Sequence, residues 1–156
     1  MHIVLNEIYD TLQHEGYKPS WNDTCTGFTF NFNMELAVCH TDEKSMVVTF
    51  MVPCVYKIEY GDPAEIIRRV NARNHVGRLV NIDGSAVSAI SSFYVFNDDG
   101  VDSQTCFALE ELERLVKEFN EIKRSFYPTI YILKAERMRP FPPLLSYTLS
   151  NHQKES

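Results

Sequence analysis

The chain has no phosphate-cradling glycine loop, no Cys-x-x-Cys pair, no helical histidine pair and no long apolar run. Each absence removes a class of function. The six glycines, at 16, 27, 61, 77, 84 and 100, never approach GxxxxGK or GxGxxG spacing and fall at the ends of predicted elements. Gly84-Ser85 reads as a turn rather than a nucleophile elbow. The four cysteines, at 25, 39, 54 and 106, point to reduced, buried thiols rather than to a zinc or disulfide framework. Cys39 and His40 are adjacent soft ligands, but neighbours on a strand face opposite ways and cannot easily share a metal. The histidines, at 2, 14, 40, 75 and 152, lack the i, i+4 spacing of a metal pair. The longest apolar run, Met46–Tyr56, is broken by Thr49 and Pro53 and is shorter than the about 20 residues a membrane helix needs.

Basic charge is also in deficit. Lys and Arg number 15 against 21 Asp and Glu, a net charge of -6, which argues against nucleic acid because duplex affinity rests on clustered cations. The acidic group Asp98, Asp99 and Asp102 lacks the alternating ligands and closing Glu of a calcium loop, and reads as a solvated turn. The first residues carry Asn6, Glu7 and Asp10 and no basic region, so no secretory leader is expected. The expectations are a cytoplasmic protein with no cofactor, no metal, no membrane and no nucleic acid.

What is present is an amphipathic pattern that changes period along the chain. Of 156 residues, 44% are hydrophobic, enough for one core without staples. Val4, Ile8 and Leu12 form a helical stripe over 3–14 that Gly16 and Pro19 end. Phe28, Phe30 and Phe32 alternate with Thr29, Asn31 and Asn33, a strand with an aromatic inner face. A base-stacking role for that row would need basic neighbours, and these are Thr and Asn. Leu36–His40 is a second strand, Thr41–Ser45 a polar turn, and Met46–Val52 an apolar run that fits a central strand, with Pro53 expected to end its pairing. Asp62 as N-cap, Pro63 and Glu65 open a second helix with Ile66, Ile67 and Val70 inward, stopping near Gly77. His75, near that end, suits the helix dipole. Leu79–Ile82, the turn Asp83-Gly84 and Ala86–Phe96 read as a hairpin. After Asn97–Gly100 comes a short strand or a loop to Cys106. Leu109 to Phe126 then carries the longest stripe, with Glu113 and Lys117 placed to pair.

The expected architecture is therefore α+β, a mainly antiparallel sheet flanked by helices in the order helix-β-β-β-helix-β-β-helix. Residues 1–128 form one domain. Residues 129–156 form a C-terminal extension with the basic, proline-rich stretch Arg137–Pro143 and a polar end expected to be disordered.

Taken in order, several segments give the chain a likeness. They are Phe28-Thr29-Phe30-Asn31-Phe32, the acidic turn at Asp42, Phe50-Met51-Val52-Pro53 followed by Val55-Tyr56, and Val70-Asn71-Ala72-Arg73-Asn74. Gly77-Arg78-Leu79-Val80 follows, and a closing helix ends near Phe126-Tyr127. From about residue 3 to residue 127 the chain resembles the bacterial YbjN-type family of sensory transduction regulators and, more broadly, the type III secretion chaperone-like fold. Asn97–Thr105 reads as a looped insertion relative to that family, and Thr129–Ser156 runs beyond its usual end. The resemblance implies an acidic homodimer that holds a segment of a client or regulatory protein by strand addition and apolar pockets. It implies no catalytic residues. Asn71 and Asn74 read as structural, bonding turn backbone.

The leading reading is a non-enzymatic protein-binding or chaperone-like dimer, whose candidate partner residues are the leftover apolar side chains Tyr94, Phe96, Phe141, Leu144 and Leu145. The first alternative is a signalling or stress-response module that binds a small or transient ligand. The second is a thiol-dependent enzyme, for which His40 beside Cys25 or Cys54 is the arrangement the sequence offers.

Overall fold

The computed structural model describes residues 1–58, 62–74, 77–81, 84–97 and 99–126. Met1–Asn120 is one compact unit; Glu121–Ser156 is a second, of which 121–126, the end of the last helix, is described.

Helix α1 spans His2–His14 and buries Val4, Leu5, Ile8 and Leu12, the stripe its period requires. It closes as a Schellman turn: Gly16 adopts φ +88°, its N–H bonds the Gln13 carbonyl, and the Tyr17 N–H bonds that of Leu12. Strands β1 (Ser20–Trp21), β2 (Gly27–Phe32), β3 (Glu35–Asp42) and β4 (Val47–Lys57) follow. Helix α2 is Ala64–Arg73, then come β5 (Gly77–Asn81) and β6 (Ala86–Tyr94), and α3 runs over Val101–Phe126. The sheet has six strands in the order β1-β2-β3-β4-β6-β5, every neighbouring pair antiparallel. The α+β class and the predicted element order hold, with the two-residue β1 as an additional strand.

One sheet face is the core. Phe28, Phe30 and Phe32 of β2, Ala37 and Cys39 of β3, Val48, Phe50 and Val52 of β4, Val87 and Ala89 of β6 and Leu79 of β5 are all at most 2% exposed. Tyr9 of α1 places its ring edge-on to Phe28, at 5.6 Å between centroids. Leu109, Leu112, Leu115 and Phe119 of α3 are buried, and a Cβ on Gly77 would lie 3.2 Å from Leu115, so α3 packs close on β5. Gly27 is required for the same kind of reason: a Cβ there would come within 2.5 Å of the Cys39 backbone oxygen.

The structure corrects several expectations. Pro53 does not end β4. The ladder to β6 instead shifts register between Val52 and Tyr56, a bulge that absorbs the missing N–H, and the Ser88 hydroxyl donates to the Pro53 carbonyl at 2.7 Å. The stretch from Val101 to Cys106 is neither strand nor loop but the start of α3. Val101, Thr105, Ala108 and Leu112 share one buried line, and the Thr105 hydroxyl donates to the Val101 carbonyl. The supposed insertion before the last helix is thus largely helix. Helix α2 stops at Arg73, because Asn74 is already extended.

Helix α2 begins at Ala64 with Pro63 rather than Asp62 as its N-cap, and Asp62, one residue earlier, accepts the Ala64 N–H at 3.0 Å. Glu65, however, turns to Arg68 and Arg69, whose guanidinium groups donate to it and hold its carboxyl down at about 2. On α3 Glu111 pairs with Arg114, and among the described residues Glu113 and Lys117 show no ion pair. His75 lies outside the described residues.

Asn71 and Asn74 are structural, with a definite task. The Asn71 carboxamide donates to the Leu79 carbonyl at 2.9 Å and accepts the Leu79 N–H at 2.8 Å. It occupies the positions a further strand would take at the outer edge of β5. Asn74, 2% exposed, donates to the Val70 carbonyl and to Glu118, which also pairs with Arg73. These bonds tie the end of α2 to β5 and to α3.

Candidate functional site

Alternation along the strands sets a second sheet face opposite the core. The registers place Thr29, Val38, Met51, Ile90 and Arg78 in one row across β2, β3, β4, β6 and β5. Beside it run His40, Thr49 and Ser92, then Asp42, Val47 and Tyr94. Thr49 and Ser92 share a hydrogen bond of 2.9 Å across the face. Val38, Val47, Met51 and Ile90 are only half-buried, while Leu36 and Tyr94 are 55% and 60% exposed. An antiparallel sheet with one solvated face ordinarily turns polar residues outward. Here β4 turns Val47 and Met51 outward and β6 turns Ile90, set among Thr49, Ser92 and Tyr94.

The face ends in two rings. Tyr94 closes β6, Val95 tucks inward at 4% exposure, and Phe96 emerges again at 89%. The two rings lie 6.3 Å apart at 31°, a side-by-side pair that meets solvent together. Tyr94 and Phe96 are therefore the leftover apolar surface expected of them. Phe141, Leu144 and Leu145, the other three candidates, lie outside the described residues. The aliphatic row Val38, Met51 and Ile90 was missed as surface, although the apolar run Met46–Val52 carries its signal.

On the helical side, α1 and α3 border an open groove of about 750 Å³. Glu7, Asp10, Glu15, Asp102 and Glu110 line it with the half-exposed ring of Phe107. Among the described residues no Lys or Arg pairs with these carboxylates. Burial first, then the nearby carboxylates, pushes the Cys106 thiol and the Tyr17 phenol upward. An acidic groove repels a phosphate backbone. Of the Asp98, Asp99 and Asp102 group, Asp102 stands in the first turn of α3, Asp99 in the preceding turn, and Asp98 lies outside the described residues.

No group of three or more His, Cys, Asp or Glu side chains among the described residues is arranged to hold a metal. No described helix is long and apolar enough to cross a membrane. Only Cys39 meets the expectation of buried thiols. Cys25 and Cys54 are exposed and Cys106 is intermediate, all free. His40 pairs across the ladder with Gly27 and Thr49, and among the described residues no hydrogen bond joins it to Cys25 or Cys54. Burial drives the Cys39 thiol far above its ordinary range, the opposite of an activated nucleophile. Titration of the folded chain with a thiol reagent at neutral pH should give two fast equivalents, from Cys25 and Cys54. Cys106 should follow slowly and Cys39 only on unfolding. A thiol reacting rapidly at pH 5 would contradict this and favour the enzyme alternative.

No protein-family model matches the chain, and no curated protein matches it by sequence. Solved structures match it by fold. YbjN from E. coli, named provisionally as a transcription regulator, superimposes with a TM-score of 0.60 at 14% identity, over 76% of this chain and 92% of that one. An uncharacterized protein from Methanothermobacter thermautotrophicus gives 0.56 at 12% identity, over 80% of this chain and 99% of its own. The chain thus has a YbjN-like fold, as the sequence resemblance implied.

Proposed function

We propose that the chain is a non-catalytic protein-binding module of a regulatory kind, working as a dimer, with the Tyr94–Phe96 end of the open sheet face as its partner contact. The observation that carries this reading is the pair of exposed rings at the end of a sheet face that also exposes Val38, Met51 and Ile90 in part. Exposed aromatic rings on a rigid strand offer large contact area at small entropic cost. The YbjN-like fold, with its regulator representative, is consistent with it. Strand addition is the less favoured means, since β1 is two residues long and the β5 edge is occupied at Leu79 by Asn71.

The test is affinity capture of the tagged full chain from its native lysate, beside a Tyr94→Ser/Phe96→Ser double variant of matched circular dichroism. A partner held by the native chain and lost at least tenfold by the variant is expected. Capture that is equal in both would overturn the assignment of the contact to these rings.

A further inference from the structure

We infer that the centre of the open sheet face, the row Val38, Met51 and Ile90, is where a second copy of this chain docks, sheet against sheet. The inference rests on the reading of the chain as a dimeric module and names the surface that pairs the copies. Its first support is the pattern of β4. Val47, Val48, Phe50, Met51 and Val52 make a strand suited to burial on both faces, yet the single chain buries only Val48, Phe50 and Val52 fully. Ile90 repeats the point on β6, where its alternate neighbours Ala89 and Ser91 are already inward.

The second support is electrostatic. A chain of net charge -6 repels its copy. Between Asp42 at one margin and Arg78 at the other, the paired outward positions Thr29, Val38, His40, Thr49, Met51, Ile90 and Ser92 include no Asp, Glu, Lys or Arg. The helical side presents the acidic groove instead, so the sheet face is where two copies meet with least repulsion.

The third support is size. The six strands, of 2, 6, 8, 11, 5 and 9 residues, at about 3.3 Å per residue and about 4.8 Å between strands, offer about 650 Å² in all. That is near the lower bound for a stable interface, about 600–1,000 Å² per partner. Two such sheets pack face to face about 10 Å apart with their strands roughly aligned. Tyr94 and Phe96 then stand at the rim, free for another protein.

The deciding measurement is the light-scattering mass of the full chain at about 50 μM, with Met51→Lys, Ile90→Lys and, on the helical side, Glu110→Lys. Each substitution makes the net charge less negative, so lost pairing cannot come from a larger net charge on the chain. The native chain and Glu110→Lys are expected at two-chain mass, and the two sheet-face variants at one-chain mass with native circular dichroism. A native chain of one-chain mass overturns the inference. So does pairing that survives both sheet-face substitutions, or one copy bound to an unlike protein.

Peroxide oxidation of the native chain gives an answer without variants. Met51 should be slow at high concentration and faster on dilution, while Met34, 98% exposed, should be fast at both. A Met51 rate independent of concentration overturns the inference and points to cover from within the chain. Loss of capture by the Tyr94/Phe96 variant at unchanged mass separates the partner reading from the pairing reading.

Discussion

Phe30→Ala should be the most damaging single truncation in the sheet, lowering stability by about 3–5 kcal/mol. The side chain is 2% exposed and lies among four other rings. Phe28 is 6.4 Å away, Phe32 6.3 Å, Phe50 6.1 Å and Tyr17 5.8 Å between centroids. Removing it leaves a cavity whose walls are rings fixed by two strands and the turn after α1, so collapse is restricted and the cavity cost adds to the lost transfer energy. Against a total of about 5–15 kcal/mol for a domain, this is a large fraction. The melting temperature should fall by about 10–15 °C. Phe30→Leu, which keeps most of the volume, should cost about 1–1.5 kcal/mol. Urea titrations followed by circular dichroism measure both. A loss below about 1 kcal/mol for Phe30→Ala would show that the aromatic cluster is not the centre of the core.

The same row shows why much of this fold was legible. Three phenylalanines at period two can satisfy only a strand with one buried face, and Val4, Ile8 and Leu12 only a helix with one buried stripe. Local period fixes the element, and the element fixes the face. The start of α3 was not legible because Asp102, Ser103, Gln104 and Thr105 are polar and, Gln104 apart, weak helix formers; Val101 and Thr105 become helical through burial against the rest of the domain. Strand β1 could not be read from two residues, since it exists only by pairing Ser20 with Thr29 and Trp21 with Phe28. Pro53 misled for a related reason. Its missing N–H is a local fact, but a bulge lets the strand continue, and the register is a property of the partner β6.

The candidate surface was legible in half. Tyr94 and Phe96 stood out as apolar residues left after the core was assigned. The aliphatic row beside them did not, because Val38, Met51 and Ile90 come from three strands and meet only through the registers of β3, β4 and β6. An apolar run longer than one face needs is the trace such a surface leaves in a sequence. It marks two-sided burial without saying which strands share the second side.

Asn71→Ala should be the second large loss, about 2–3 kcal/mol, from a side chain that is not in the hydrophobic core. The carboxamide both donates to the Leu79 carbonyl and accepts the Leu79 N–H, so truncation strips two backbone groups at once. Leu79 is 1% exposed and both bonds are part-buried, so water reaches the freed backbone groups only in part. The penalty is therefore that of two unsatisfied groups rather than the about 1 kcal/mol of one exchanged bond. Asn71→Asp discriminates the cause. A carboxylate accepts the Leu79 N–H but cannot donate to the Leu79 carbonyl, and sets negative charge against that oxygen, so it should not rescue the loss. If Asp restored native stability, the acceptor half of the contact would suffice and the two-bond account would fail.

A further consequence is specific to the edge. With Asn71 gone, β5 presents Leu79 as an open pairing site, and the variant should form higher assemblies under conditions where the native chain does not. Light scattering at matched folded fraction measures this. Equal assembly by Asn71→Ala and by Phe30→Ala would assign it to general destabilisation, whereas an excess in Asn71→Ala would locate it at the β5 edge. The polar residue that joins α2 to the sheet thus also covers the β5 edge at Leu79.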